Sequence, residues 1–400
     1  MSLEKTYFGF AFLLFIILFL SGCSKDPDTV ISDLKDDILN LPIDTNDKQE
    51  ATESLLTKIQ KLEDDENDKR VQILSKDTKN AIIRTSANSA TLVANIDGSW
   101  IILTNTKLHS KGGSAAPVQI NTSYHGQYVL YAVDNDNQCI YSIIDLGDDG
   151  SKFDVQNEIL KISCEASAVV DDKGQIFFTR SNDVFRYSIP DKKETLILGK
   201  SLFKSNYPKI ENKLYLVAIP DGLWLLFGAA GYYDLYYYNG TPNSARKIYP
   251  AVASPSVQYS ANSLFSLDSD LIENQSSKVQ LAQEPATLFL YSGEAGRYQL
   301  QGFRLPATPW KSFRVPIKKT VYYLSNFDQF LYIKNNYPIR YDINTAKESK
   351  LPLRANQIFV HQSGLVYTND RHQLVLRKEP YSDFEKKLFQ LKEELEQNLR

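Results

Sequence analysis

The sequence predicts an all-β fold, a β-propeller of about six to seven four-stranded blades with short N-terminal helices and a C-terminal amphipathic helix. Three observations support this prediction. Short aromatic and β-branched runs recur between Asn, Asp, Gly and Lys turns from about residue 81 onward, which is the pattern of β-hairpins. One ten-residue pattern occurs twice, and analogous strands recur at steps that are mostly close to the ~40–50 residues of a propeller blade.

The repeated pattern identifies two blades. Segment 186–195 (R-Y-x-I-x-x-x-K-E-T) has the same spacing as segment 340–349 (R-Y-x-I-x-x-x-K-E-S), and each copy follows a strand and a polar turn. Internal similarity of this kind indicates repeated supersecondary units. We therefore predict that Arg186 and Arg340 occupy equivalent positions in two blades.

Analogous strands can be marked along the whole body. The number of residues between successive marked strands is largest before Phe303, which predicts an insertion there. The Ser-, Asn- and Gln-rich stretch 254–283 is a suitable place for it. The spacing between the last two marked strands is short, which predicts that a strand from the other end of the body completes the final blade. The alternative fold is a pair of β-sandwiches, but the even spacing suggests no boundary between two domains. The marks are Ile102, Tyr141, Tyr187, Tyr237, Phe303, Tyr341 and Leu374.

Charge and periodicity divide the chain into four regions. Residues 24–70 carry a net charge of −7, whereas residues 71–378 carry +6. A mildly basic body without a Lys/Arg cluster does not predict nucleic-acid binding, although it suits anionic polymers of a cell envelope. The predicted regions are a leader (1–22), an acidic helical stalk or linker (23–80), the propeller body (81–378) and a C-terminal helix (379–400).

Helical periodicity is confined to the stalk and the C-terminus. Asp28 can cap a first helix, which Pro42 prevents from continuing, and a second candidate runs from about Asp47 to Leu62. The acidic residues 63–68 that follow are predicted to be solvated and mobile. The stalk is interpreted as a spacer; alternatively, its apolar stripes dock on the body or on a partner.

The C-terminal helix begins with a predicted capping box, formed by Ser382 and Glu385. An isolated helix of ~19 residues is marginally stable in water, so we expect its apolar stripe to be buried. Packing on the body or on the stalk helices is the first interpretation, and a partner or a second copy is the alternative. The stripe consists of Phe384, Leu388, Leu391, Leu395 and Leu399.

The segment Leu20-Ser21-Gly22-Cys23 closes an apolar run, Tyr7–Leu20, that is shorter than the ~20 residues of a membrane-spanning helix. It resembles the lipobox of bacterial lipoproteins. The resemblance implies cleavage before Cys23, lipidation of its thiol with fatty acyl chains such as palmitate, and a lipid-anchored place in the cell envelope. Ser24 stands where inner-membrane lipoproteins commonly carry Asp, which favours an outer membrane if the organism has one. The alternative is an uncleaved anchor.

Two further cysteines, Cys139 and Cys164, lie in predicted strands. An exported chain can oxidise them, so one disulfide is possible. The alternative is that both are small buried hydrophobic residues, because sequence separation says nothing about the distance between their Cα atoms.

The sequence contains no recognisable catalytic or phosphate-binding motif. Its four histidines are scattered without the spacing of metal ligands, and we predict no metal and no cofactor. Segment 134–138 begins like a calcium loop, but Cys139 stands where that loop requires glycine, so a polar hairpin turn is favoured. Asp97-Gly98 is predicted to form a type I′ hairpin turn.

The richest aromatic region contains Trp224, Tyr232 and Tyr233, with the small residues 228–231 between them. Flat rings beside a small-residue loop suit stacking on a sugar or on a peptide side chain. We therefore predict that Tyr232 and Tyr233 are at least partly exposed beside a pocket or a ring face and bind a ligand together with Trp224. The alternative is that these rings are core residues of a strand.

Two functional hypotheses follow. The first is a lipid-anchored, non-catalytic binding or scaffold protein of the bacterial cell envelope, which presents propeller loops to a protein or glycan partner. The second is a glycan-acting hydrolase or lyase, because a propeller can place carboxylates around its central channel. The lack of a catalytic motif favours the first hypothesis.

Overall fold

The structure, a computed structural model, divides into two compact units, Arg70–Pro380 and the combination of Met1–Lys69 with Tyr381–Arg400. The leader and Cys23 lie outside the described residues. No helix in the described part of the chain is long and apolar enough to cross a membrane. The described residues are 26–113, 115–136, 138–204, 211–229, 232–261, 287–292, 299–314, 321–324 and 328–398.

The described strands of Arg70–Pro380 form seven four-stranded antiparallel blades, which confirms the predicted propeller. Blades 1 to 3 consist of β2 (Ile82–Thr85), β3 (Leu92–Ile96), β4 (Ser99–Leu103) and β5 (Leu108–Lys111); β6 (Gln119–Thr122), β7 (Tyr128–Asn135), β8 (Gln138–Asp145) and β9 (Asp154–Ser163); and β10 (Ala168–Val170), β11 (Ile176–Arg180), β12 (Asp183–Ser188) and β13 (Lys193–Leu198).

Blades 4 to 6 share one continuous hydrogen-bonded sheet. Their strands are β14 (Lys213–Ile219), β15 (Gly222–Ala229), β16 (Tyr232–Tyr238) and β17 (Arg246–Ala261); β18 (Thr287–Ser292), β19 (Gln299–Arg304) and β20 (Thr308–Arg314); and β21 (Val321–Leu324), β22 (Gln329–Lys334), β23 (Tyr337–Asp342) and β24 (Lys347–Lys350). A short 3₁₀ helix, Lys200–Leu202, lies between blades 3 and 4.

Strand β17 is long because it serves two blades. Its first half pairs with β16, and its second half pairs with β18 as the first strand of blade 5. Its last residues, Ser260 and Ala261, run parallel to β21 of blade 6. The predicted insertion, 254–283, therefore begins within β17 and continues outside the described residues.

Blade 7 closes the ring with strands from both ends of the body. It contains β25 (Gln357–His361), β26 (Gly364–Thr368), β27 (Leu374–Arg377) and β1 (Val71–Ser75). Strand β1 pairs antiparallel with β27, so the N-terminal end of the body supplies the fourth strand, as the short last step predicted. This strand lies in the segment that the sequence assigned to the stalk.

Every mark chosen from the sequence lies on the third strand of a blade. Ile102 is in β4, Tyr187 in β12 and Phe303 in β19, and the other four marks fall in the third strands of the remaining blades. Turn chemistry repeats with the strands: Ser181 and Asn182 before β12 both have positive φ, as do the two asparagines before β23. The hairpins are therefore built in the same way in different blades.

The structure confirms that Arg186 and Arg340 are equivalent. Arg186 pairs with Thr195 in the fourth strand of blade 3, and Arg340 pairs with Ser349 in the fourth strand of blade 6. Blades 3 and 6 also each carry an ion pair, which joins the last residue of the second strand to the repeated glutamate of the fourth strand. Those pairs are Arg180–Glu194 at 3.1 Å and Lys334–Glu348 at 2.7 Å.

The core of the ring lies between neighbouring blades. One buried cluster joins Val93 and Ile102 of blade 1 to Val129 and Ile144 of blade 2. Similar clusters lie between other neighbouring blades. A strand in such a blade is covered by a neighbouring blade on each face. Its apolar residues therefore form continuous runs rather than a strict alternation.

The second unit contains three described helices: α1 (Pro27–Leu39), α2 (Thr45–Arg70) and α3 (Asp383–Asn398). Helix α1 begins before the predicted cap Asp28, because Pro27 suits the first helical position, where its missing N–H costs nothing. Helix α2 continues through residues 63–68, so this acidic cluster extends the second stalk helix instead of ending it, and its mobility stays a prediction. Lys392 compensates its charge by donating to Glu63 Oε2 at 2.7 Å.

Helix α3 starts at the predicted capping box. The Ser382 backbone N–H donates to Glu385 Oε2 at 2.7 Å, and the Glu385 N–H donates to Ser382 Oγ at 3.2 Å. Leu399 of the apolar stripe lies outside the described residues. The other stripe residues pack against the stalk helices, as the first interpretation held, and these helices form a small core of their own. That core contains Ile31, Leu34, Ile59, Leu388, Leu391 and Leu395.

Candidate functional site

A pocket of about 430 Å³ lies between blades 1 and 2. Small-molecule sites usually have volumes of ~300–1,000 Å³, so this pocket has the size of a ligand site. Aromatic and apolar side chains line most of it, with a few polar groups among them. The lining residues are Trp100, Lys111, Gly112, Gly113, Ala115, Tyr131, Val133, Ile140, Ser142, Phe153, Val155, Asn157 and Glu158.

The wall from blade 1 follows from the register of its strands. Asn95, Trp100 and Lys111 are directly paired across β3, β4 and β5, so their side chains lie on the same face of the sheet. The glycines that follow Lys111 leave this wall open. Gly113 has a φ of +85°, and a Cβ at this position would meet no atom within 4 Å.

The aromatic part of the pocket combines rings from both blades. Trp100 and Tyr131 meet edge to face, with ring centroids 4.9 Å apart. Phe153 adds a third ring, and the Lys111 ammonium lies 5.2 Å from its centroid. Trp100 and Tyr131 are almost fully buried, whereas Phe153 is partly exposed. The rings therefore form a rigid apolar surface beneath a more polar rim.

An irregularity in blade 2 supplies the rim. The register between β8 and β9 shifts at Ser142, and Glu158 takes a positive φ of 52°, which is unusual for a residue other than glycine. The Glu158 N–H donates to Ser142 Oγ at 3.0 Å, which holds this conformation. Tyr131 OH donates to Asn157 Oδ1 at 3.3 Å. Two exposed polar residues thus lie beside the aromatic rings, and hydrogen bonds hold the Asn157 amide and the Glu158 backbone in place.

One buried polar group beside Trp100 lacks a partner among the described residues. Asn95 is 2% exposed, and its Nδ2 makes no hydrogen bond. Its Oδ1 accepts from the Gly98 N–H at 3.0 Å, where Asp97 and Gly98 both have positive φ, as the predicted type I′ turn requires. Its Nδ2 is out of reach of a ligand in the pocket, because the atom is inaccessible to solvent and Asn95 is not among the lining residues.

The structure places Trp224 and Tyr233 of the predicted site in one buried cluster and leaves only Tyr232 of the three exposed. Trp224 is fully buried, and its indole N–H donates to the Pro306 carbonyl at 2.8 Å, so its proposed role in ligand binding is not supported. Tyr233 is 9% exposed and packs against Tyr215, and burial raises its pKa. Tyr232 is 38% exposed at the start of β16, next to residues 230 and 231, which lie outside the described part.

Cys139 and Cys164 form a disulfide, with their Cα atoms 4.8 Å apart. Cys139 is buried in β8, and Cys164 follows directly after β9. At the hairpin between β7 and β8, Asn135 pairs with Gln138 and Asp136 is in the left-handed region, while residue 137 lies outside the described residues. Among the residues that the structure describes, no group of three or more His, Cys, Asp or Glu side chains is placed to hold a metal ion.

Two histidines join neighbouring blades on the face opposite the Asp97 turn. His125 Nδ1 lies 2.8 Å from Asp172 Oδ2, and this hydrogen bond raises the pKa of His125. Its stabilising contribution is therefore greatest at acidic pH and is lost as the pH rises through the raised pKa. His361 is buried, donating from Nε2 to the Ala90 carbonyl at 3.0 Å.

The pocket residues were missed because their signal is spread over two blades. The available hint was the run Lys111–Ala116, a small-residue loop like the one that drew attention to Tyr232. The run begins at the end of β5, which forms a hairpin with β4, the strand of Trp100. Of the other two rings, Tyr131 lies in β7 and Phe153 directly precedes β9.

No protein-family model and no curated protein matches the chain. Solved structures with a similar fold include TolB from Acinetobacter baumannii, at 9% identity and a TM-score of 0.37, with 84% of this chain and 71% of that chain covered. An oligogalacturonate lyase in complex with manganese matches at 9% identity and a TM-score of 0.45, with 78% of this chain and 93% of that chain covered. The β-propeller domain of the Trilobed protease from Pyrococcus furiosus matches at 9% identity and a TM-score of 0.40, with 72% of this chain and 91% of that chain covered. These likenesses concern the fold alone.

Proposed function

We propose that this protein is a lipid-anchored binding protein of the bacterial cell envelope, and that the pocket between blades 1 and 2 holds its ligand. The lipobox-like segment ending in Cys23 supports the anchor, and Ser24 favours an outer membrane where one exists. In chain order, the anchor is followed by helices and then by the ring. The ring would thus present its pocket to another envelope component.

The lining of the pocket is the observation that carries this proposal. Three rings meet there with one ammonium, one carboxylate, one amide and one hydroxyl. A mostly apolar concave surface with a few fixed polar groups is the usual composition of a binding site. Binding requires no further group, whereas glycan hydrolysis generally uses two carboxyl groups. Of the described lining residues, Glu158 alone carries one, so the lining supports binding better than hydrolysis.

The pocket can be tested by filling it. In the full-length Cys23→Ala chain, which should lack the lipid, we expect Val133→Phe to weaken saturable binding to isolated envelopes about ten-fold, or about 1.4 kcal/mol. The physical reason is that Val133 lines the pocket, so the added ring occupies the ligand's volume. Sedimentation of the purified protein with envelopes measures the bound fraction.

Tyr232→Ala is the matched control, because it removes an exposed aromatic ring on another blade. We expect it to change binding less than two-fold. Unaltered binding by Val133→Phe, at an unchanged melting temperature, would contradict the pocket. A large loss with Tyr232→Ala instead would move the site to blade 4. Release of glycan fragments by the parent chain would favour the enzymatic alternative.

The anchor has its own test. We expect the full-length chain to incorporate labelled palmitate in a bacterial host and Cys23→Ala to incorporate none, because the lipobox thiol is the acceptor. Fluorescence or autoradiography of the purified chain measures the label. The double variant Cys139→Ala/Cys164→Ala, which removes both other cysteines, is the control and should remain labelled. Label retained by Cys23→Ala would rule out this anchor.

A further inference from the structure

We propose that the ligand of the pocket between blades 1 and 2 is a pyranose sugar unit of an envelope glycan. This inference rests on the proposed binding function and adds the chemical class of the ligand. It is carried by the arrangement of rings and hydrogen-bonding groups in the pocket. The competing occupant is an apolar side chain of a partner protein.

The rings suit one face of a sugar. A pyranose ring presents C–H groups on its faces and hydroxyl groups around its edge, so it packs on aromatic surfaces while it hydrogen-bonds sideways. Phe153 is partly exposed, and Trp100 and Tyr131 are fixed edge to face. A ligand seated here meets aromatic carbon below and polar groups around its edge.

The polar groups of the site match hydroxyl groups. Glu158 accepts hydrogen bonds, Lys111 donates them, and the Asn157 amide can do both. A sugar hydroxyl can accept from one group and donate to another, so a single sugar edge can satisfy both kinds.

An apolar side chain fits the same pocket less well. It would exclude water from Glu158 and Asn157 without supplying a hydrogen-bond partner for them. Buried polar groups left unpaired are costly, and this cost discriminates strongly against ligands that lack the matching hydroxyl. The pocket therefore favours a polyhydroxyl ligand over an apolar side chain.

The geometry is fixed before any ligand arrives. Glu158 keeps its left-handed backbone through the hydrogen bond to Ser142, and Asn157 is bonded to Tyr131 OH. Unfavourable backbone conformations of this kind persist when the surrounding structure supports them, and they occur often at binding sites. Little backbone entropy of this rim remains to be lost on binding, which matters for ligands that bind weakly.

Calorimetric titration with defined probes tests this inference. The full-length protein, in a detergent without a sugar head group, is titrated with N-acetylglucosamine, cellobiose, glucuronic acid and a phenylalanine-containing tripeptide. We expect at least one sugar to bind saturably, the tripeptide not to bind, and Glu158→Gln to raise the Kd about ten-fold. The sugar that binds indicates which envelope glycan is the source.

A matched control and a second readout keep the test decisive. Glu165→Gln removes an exposed carboxylate outside the pocket and should leave the Kd unchanged. Quenching of tryptophan fluorescence by the sugar should survive Trp310→Phe and disappear in Trp100→Phe, since only the latter lines the pocket. Melting temperatures show whether each variant is folded.

The outcomes separate this inference from the function on which it rests. Binding of the tripeptide, or of no sugar, together with loss of envelope binding in Val133→Phe, overturns the sugar assignment and leaves the pocket as a binding site. Full envelope binding by Val133→Phe overturns the proposed function itself. Sugar binding that Glu158→Gln and Val133→Phe do not weaken places the sugar elsewhere and also overturns the inference.

Discussion

Acidification from pH 7 to pH 4 is expected to lower the free energy of unfolding of the propeller by roughly 3 kcal/mol through His361 alone. Burial is the main cause and lowers the pKa of this imidazole to about 4. The neutral ring suits its surroundings, because Nε2 donates to the Ala90 carbonyl and Nδ1 accepts from the Ser363 N–H at 3.1 Å. Nδ1 also lies 2.7 Å from the Ser363 hydroxyl.

The sign follows from the protons bound by each state. Between pH 6.5 and about 4, His361 is protonated in the unfolded chain and neutral in the folded ring. The unfolded state binds more protons in this window, so stability falls as the pH falls. The contribution is complete above pH 6.5, where both states are neutral, and Lys378 nearby adds to the cost of charging the ring.

Urea unfolding at a series of pH values measures this effect. His361→Gln should be less stable at pH 7, because a buried hydrogen-bonded ring is lost, but its stability should depend less on pH between 6.5 and 4. His372→Asn controls for the loss of an imidazole, since His372 lies in an exposed turn where positive φ suits asparagine. Equal pH slopes for the parent and His361→Gln would show that another group causes the acid sensitivity.

The ring could be predicted from the sequence because each blade repeats the same local chemistry. Third strands were located through their aromatic and branched residues, and the turns before them through residues that tolerate positive φ, such as Asn182 and Gly98. Arg186 and Arg340 could be equated because both lie between a polar turn and the same charged pattern. These signals act within one blade and need no knowledge of its neighbours.

The pocket and the fate of Trp224 depend on how neighbouring blades face each other. Trp100 and Tyr131 meet because a face of blade 1 lies against a face of blade 2, a relation that spacing along the chain does not contain. The burial of Trp224 has the same cause. In β15, every residue from Leu223 to Ala229 is buried, so alternation along the strand says nothing about exposure.

The disulfide is expected to carry a second large effect, on stability and on the pocket together. Replacing Cys139 and Cys164 with alanine should cost about 3 kcal/mol, because the bond closes a loop of 25 residues and restricts the unfolded chain. That loop contains β8 and β9 and therefore Ser142, Phe153 and Glu158 of the pocket. The side of the pocket built by blade 2 is thus held at both ends by a covalent bond.

Reduction of the parent chain separates the two roles of this bond. We expect dithiothreitol to lower the melting temperature and to weaken ligand binding by the folded protein, because Glu158 loses part of its support. The same treatment should leave Cys139→Ala/Cys164→Ala unaffected, which controls for other effects of the reductant. If reduction lowers the melting temperature and leaves binding unchanged, the bond stabilises the ring without shaping the pocket. If neither the melting temperature nor ligand binding changes, the backbone hydrogen bonds between β8 and β9 hold these strands without help from the disulfide.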